Sequence, residues 1–235
     1  MRYTKTLCAY LTFSFIATVL IILIVITTLP HPISLPEKAG IASVFILCCI
    51  VGISFTLYPN WVRRYFSKGK NKEKNMALQV KRSFEGHHPD CPTFQNHTVQ
   101  WKKKTWCAGC LGLFIGLCAS ILLMILYLAV DIQLTKAVSY VLLALGLLIL
   151  PVVYVEILYQ RKSAILHVFI NSMLPISFFI ITIAVEGLTG TFVYGFFTIL
   201  LCFLWLDTRI QLSSWYHRAY CINCSESCKM YTAPV

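Results

Sequence analysis

Long apolar runs broken by short polar links set the pattern of this chain. Leu7 to Leu29 is apolar almost throughout and stops at Pro30-His31-Pro32, and a second run covers Lys38 to Tyr58. After one sizeable polar stretch, four more runs follow over 110–130, 137–157, 164–186 and 190–206. A helix needs about 20 apolar residues to cross the hydrocarbon core, so the pattern predicts six transmembrane helices. The links Asp131 to Lys136, Leu158 to Ser163 and Gly187 to Thr189 are short, which predicts antiparallel packing of neighbours. Pro151 and Pro175 fall inside the fourth and fifth runs and are expected to kink them, since each removes a backbone donor. Gly112 and Gly116, four apart, cut a small-residue notch on the third.

The first run follows a short basic start, Arg2 and Lys5, as a signal peptide would. A signal peptide's apolar region is only about 7–15 residues long and ends in a small-residue cleavage site. This run is longer and lacks an Ala-x-Ala pattern, so it reads as a retained span. The tail begins as a helix extension, where Leu212, Trp215, Tyr216, Ala219 and Tyr220 recur at threes and fours as an apolar, ring-rich stripe suited to the interface. Four regions result: spans one and two over 1–58, a basic connector and Cys/His module over 59–109, spans three to six over 110–206, and an amphipathic helix with a Cys-rich tail over 207–235.

Composition agrees, with 58% hydrophobic residues and 12% charged ones and a mean hydropathy of +0.73. That balance excludes a soluble globular class. The formal charge of +11 would invite a nucleic-acid partner, but 18 of the 20 Lys and Arg lie in the N-terminus, the 59–107 and 158–163 loops and the tail. Six spans bring these segments to one side, and the opposite side keeps only Lys38 and Lys136. Such a bias is a topology signal. It predicts a multi-pass cell-membrane protein with both termini cytoplasmic, whose basic loops meet anionic lipid headgroups rather than nucleic acid.

The chemistry concentrates in the polar stretch. His87, His88, Cys91, His97, Cys107 and Cys110 are six potential metal ligands within 24 residues, too poor in aliphatic side chains to build a core of their own. Small units of that kind need a metal or a staple. Cytoplasmic thiols stay reduced, so clustered Cys and His argue for metal over disulfide. Cys107-x2-Cys110 fills two corners of a zinc tetrahedron, and Cys91 with one or more of His87, His88 and His97 fills the rest. A second cluster, His217-x3-Cys221-x2-Cys224-x3-Cys228, suffices for a second zinc site. Alternatively the two Cys-x2-Cys pairs form one four-thiolate site, so one zinc ion or two remain open. An iron–sulfur cluster is less fitting, because the His residues are surplus to it. Cys8, Cys48, Cys49, Cys118 and Cys202, in or near the spans, read as packing residues.

Two other chemistries compete. A Cys-x2-Cys pair at a helix N-terminus suits a thiol oxidoreductase, although no thioredoxin-like βαβ pattern precedes it. A membrane enzyme or transporter is the other: either one metal keeps an open position, or Glu156, His167, Asn171 and Asp207, near the cytoplasmic ends of spans four to six, converge as a polar pocket for an ion, proton or headgroup, unless they simply snorkel to water. Glu186, at the other face, reads as a loop residue. There is no Gly-rich phosphate loop, nucleophile elbow or His-Glu-x-x-His helix, so no reaction class is assigned.

The string Cys107-Ala-Gly-Cys110-Leu-Gly-Leu-Phe-Ile-Gly116, opening a span after a His/Cys loop, resembles a family of uncharacterised prokaryotic multi-spanning proteins with a Cys-x-x-Cys-x-Gly-x-x-x-Gly signature. His87-His88-Pro89-Asp90-Cys91 and His97 are most similar to its archaeal branch. The similarity covers residues 84–116, and bacterial members carry Arg at the position of Gly109. The resemblance implies metal ligands at the matching Cys and His and no particular substrate. The expectation is therefore an all-α membrane protein, a six-helix bundle with a small cytoplasmic zinc-knuckle-like module. The module would act as a structural clip or as a docking platform for a membrane-protein partner or lipid headgroups, and metal would supply its folding energy.

Overall fold

The computed structural model describes residues 2–29, 31, 33–57, 98–101, 104–159 and 163–222. Its elements run α1 (Arg2–Thr27), α2 (Leu35–Leu57), β1 (Thr98–Trp101), β2 (Lys104–Cys107), α3 (Ala108–Ala129), α4 (Lys136–Leu158), α5 (Ala164–Thr189) and α6 (Phe192–Ile222). Among the described residues, six helices are long and apolar enough to cross a membrane. The chain thus has the make-up of a multi-pass membrane protein, matching the six runs. The helices start and stop on local chemistry. Glu37 Oε2 accepts from the backbone N of Ser34 and from its hydroxyl at the head of α2, a capping-box contact. Thr135 and Ser163 cap α4 and α5 by accepting from Val138 N and Leu166 N. Both prolines lie within continuous helices.

Helix α5 is the axis of the bundle. Within its most apolar window 67% of residues are buried, against 22% for α1 and α2, and its main neighbours are α3, α4 and α6. Lipid tails are as apolar as leucine, so helices in a bilayer gain little from burying aliphatic surface and depend on close packing and polar contacts. The sequence supplies both. A Cβ on Gly112 would strike the Val168 carbonyl, and one on Gly116 would strike the Ser172 carbonyl. The predicted notch is therefore where α3 lies backbone to backbone on α5. Trp205, buried in the core, donates from its indole N–H to the Ser14 carbonyl at 3.3 Å and joins α6 to α1. Thr208 and Ser14 share a hydroxyl contact at 2.7 Å beside it. Phe13, Phe15, Leu122, Val141, Leu148 and Val193 point outward, as a lipid-facing surface requires.

Two features depart from the expectation. Residues just before α3 form a two-stranded antiparallel hairpin, with Thr98 opposite Cys107 and Trp101 opposite Lys104. It delivers Cys107 directly onto the first turn of α3. Glu186 is no loop residue either. It sits on α5, 1% exposed, and accepts from the Tyr127 hydroxyl at 3.1 Å. The Tyr127 ring in turn lies under the ammonium of Lys38, 4.2 Å from its centroid. Lys38 is paired with Asp131 at 3.0 Å and donates to the Ile132 carbonyl. This end of the bundle is closed by a buried polar knot.

Candidate functional site

The opposite mouth, where α3 and α5 begin and α4 ends, holds a second buried cluster. Its first members are Cys107 and Cys110. Cys107 is the N-cap residue of α3 in extended conformation, and its side chain makes no capping bond. The first N–H groups of a helix have no intrahelical partner and carry the positive end of its dipole. Cys110, one turn in, has its thiol in hydrogen-bond contact with that of Cys107, and no described cysteine is in a disulfide.

The rest of the cluster comes from three other helices. Glu156, near the end of α4, has a 4% exposed side chain, and its Oε1 lies 2.7 Å from Nδ1 of His167 on α5. The other carboxylate oxygen of Glu156 is buried with no hydrogen-bond partner among the described residues. One turn along α5, Asn171 donates through Nδ2 to the His167 carbonyl at 2.7 Å. Its Oδ1 accepts two bonds from Arg209 of α6, from Nε at 3.1 Å and from Nη2.

Gly109 brings the halves together. A Cβ built on it would stand 2.9 Å from Arg209 Nη2, 3.7 Å from His167 Nε2 and 3.9 Å from Cys107 Sγ. The missing side chain lets the guanidinium, the imidazole and a thiol border one small space at the head of α3. Arg209 is within electrostatic reach of Cys107, Cys110 and Glu156 together. An arginine stays charged in proteins, and here it lies against the positive end of a helix. That placement calls for compensating negative charge, which Glu156 is able to supply.

Of the polar residues expected to converge, Glu156, His167 and Asn171 do so. Asp207 does not, and faces Tyr10 of α1 instead. Successive helical residues are about 100° apart, so Asp207 and Arg209 present to different sides of α6. It is Arg209 that enters the cluster. The only sequence signal for it was that angular offset, hidden in a chain where nearly every basic residue on this side reads as a topology marker.

Among the described residues, no group of three or more His, Cys, Asp or Glu side chains is assembled to hold a metal ion. Of the expected ligands, His87, His88, Cys91, His97, Cys224 and Cys228 lie outside the described residues. His217 and Cys221 fall on the last turns of α6, their side chains outside the description. Cys221 lies twelve residues beyond Arg209 on one unbroken helix, about 18 Å along its axis at 1.5 Å per residue.

Fold and site together define a helical bundle of multi-pass type with a cysteine–histidine–arginine cluster buried at one mouth. No protein-family model, curated protein or solved structure matches the chain.

Proposed function

We propose that this chain is a membrane protein whose basic, cytoplasmic face carries a zinc–thiolate clip at Cys107 and Cys110, closed by ligands from the segment His87, His88, Cys91 and His97. The clip fastens the polar segment to the mouth of the bundle. It presents a basic surface to lipid headgroups or to a membrane-protein partner, with the Cys221 region as a second, separate metal point. One observation carries this reading, the packing of Arg209 beside Cys107 and Cys110 at the positive end of α3. Thiolates are the form in which cysteine binds zinc, and a zinc ion with two thiolates is neutral overall. Glu156 then offsets Arg209, so the buried cluster balances.

The test is elemental analysis of the full chain purified in detergent under reducing conditions. The expected result is one to two zinc ions per chain, with one lost in C107S and in C110S. Protein without metal, in which Cys107 and Cys110 recover as a disulfide when the purification is repeated without reductant, overturns the clip. It would move the assignment to a second reading, a membrane thiol oxidoreductase, which the contact between the two thiols favours.

A further inference from the structure

We infer that Glu186 is a proton-binding site at the far mouth of the bundle, a neutral carboxylic acid whose deprotonation draws Lys38 away from Asp131. Its ligand is the hydrogen ion itself, and the site is separate from the cysteine end. Loss of the proton to solvent leaves a carboxylate that the Lys38 ammonium is placed to meet.

Glu186 stands on the last turns of α5, fully buried, where an ionised carboxylate is costly unless it is both paired and hydrogen-bonded. Each neighbouring element brings its own groups to it. Tyr127 of α3 donates its hydroxyl to Oε1. Lys38 of α2 brings an ammonium within electrostatic reach, and Asp131 holds that ammonium from the link after α3. At the head of α6, Phe192, Val193 and Tyr194 add no charge, while Glu37, His31 and Lys136 are exposed.

An ammonium has three N–H donors, and those of Lys38 are taken up away from Glu186. Asp131 Oδ1 and the Ile132 carbonyl each accept at 3.0 Å, and the Tyr127 ring lies beneath. Two carboxylates thus compete for one cation, and the cation stands with Asp131, the exposed one. Attraction between opposite charges is far stronger away from water, and water solvates Asp131 but not Glu186. An ionised Glu186 would therefore win Lys38. Pairing with Asp131 is the arrangement of a knot in which Glu186 is neutral, and it balances one ammonium against one carboxylate. Ionisable residues inside spans are rare and mark proton and ion pathways.

Infrared spectroscopy of the full-length protein in detergent reads the proton directly. A protonated carboxyl gives a C=O stretch above the amide band that moves down in deuterium oxide. Near neutral pH the wild type should show such a band, E186Q should lose one carboxyl's worth of it, and raising the pH should remove it reversibly. If E186Q fails to fold, Y127F decides, because losing the bond to Oε1 should move the band to higher frequency. K38M should raise the pH at which the band fades. D131N, which frees Lys38 for Glu186, should lower it. Each shift should be about 1–3 pH units, the usual effect of an adjacent opposite charge. An E186Q spectrum identical to wild type in this region, or an unshifted band in Y127F, overturns the proton site. Fading at the wild-type pH in both K38M and D131N overturns the exchange of Lys38, and the inference with it.

Discussion

His167 Nδ1 and Glu156 Oε1 meet at 2.7 Å across the short link between α4 and α5, and so tie two helix ends by their side chains. Hydrogen bonds to charged groups contribute about 1.5–3 kcal/mol, and this one lies in a partly buried site. E156A should therefore lower stability by about 2 kcal/mol, while E156Q, which keeps an acceptor, should lose less than half of that. Thermal or denaturant unfolding in detergent checks the order. Equal losses in the two variants would mean the contact contributes little.

Arg209 reaches its place only because residue 109 lacks a side chain. G109A would set a methyl 2.9 Å from Nη2 and push the guanidinium off Asn171. The expected cost is about 1–3 kcal/mol, typical of overpacking. R209K keeps the charge but not the two-pronged bond to Asn171, so it should also be destabilising. A stable R209K would show that charge alone suffices there.

The α3–α5 seam gives a graded comparison. At Gly116 an added methyl meets the Ser172 carbonyl and, at 3.0 Å, Pro175 Cδ. At Gly52 it meets only the end of the Leu117 side chain, at 3.1 Å. Backbone cannot yield as a leucine tip can, so G116A should cost about 1–3 kcal/mol or more and G52A much less. Unfolding midpoints of the two variants in the same detergent decide it.

At the far mouth the Lys38–Asp131 pair is lopsided, with side chains 3% and 59% exposed. Removing Asp131 strands a buried ammonium, while removing Lys38 returns a carboxylate to water. D131N should therefore destabilise more than K38M, by about 1–3 kcal/mol. Asparagine also tolerates the positive φ of 46° at that position, so the comparison isolates charge. The reverse order would mean that Lys38 acts mainly through Tyr127.

How much of this was legible follows from what each residue signals alone. Apolar runs identify spans because a bilayer demands them, and all six were found, although α1 starts earlier than its run and α6 extends to Ile222. The hairpin was missed because Lys102-Lys103 carries no Asn-Gly type turn signal. Cys107, Cys110, Glu156, His167 and Asn171 stood out as unusual residues in apolar surroundings. Arg209 and Glu186 did not, because a lone charge near a span end looks the same whether it turns outward to water or inward to a partner. Only the rotation of the helix decides between them.

The glycine seam along α3 has a last consequence. Because α3 meets α5 through main-chain atoms at Gly112 and Gly116, the spacing between the cysteine pair and His167 is set by a joint with no flexible spacer in it. Changes in bilayer thickness or lateral pressure would then tilt that helix pair as one piece, with little leverage on the spacing between Cys107 and His167.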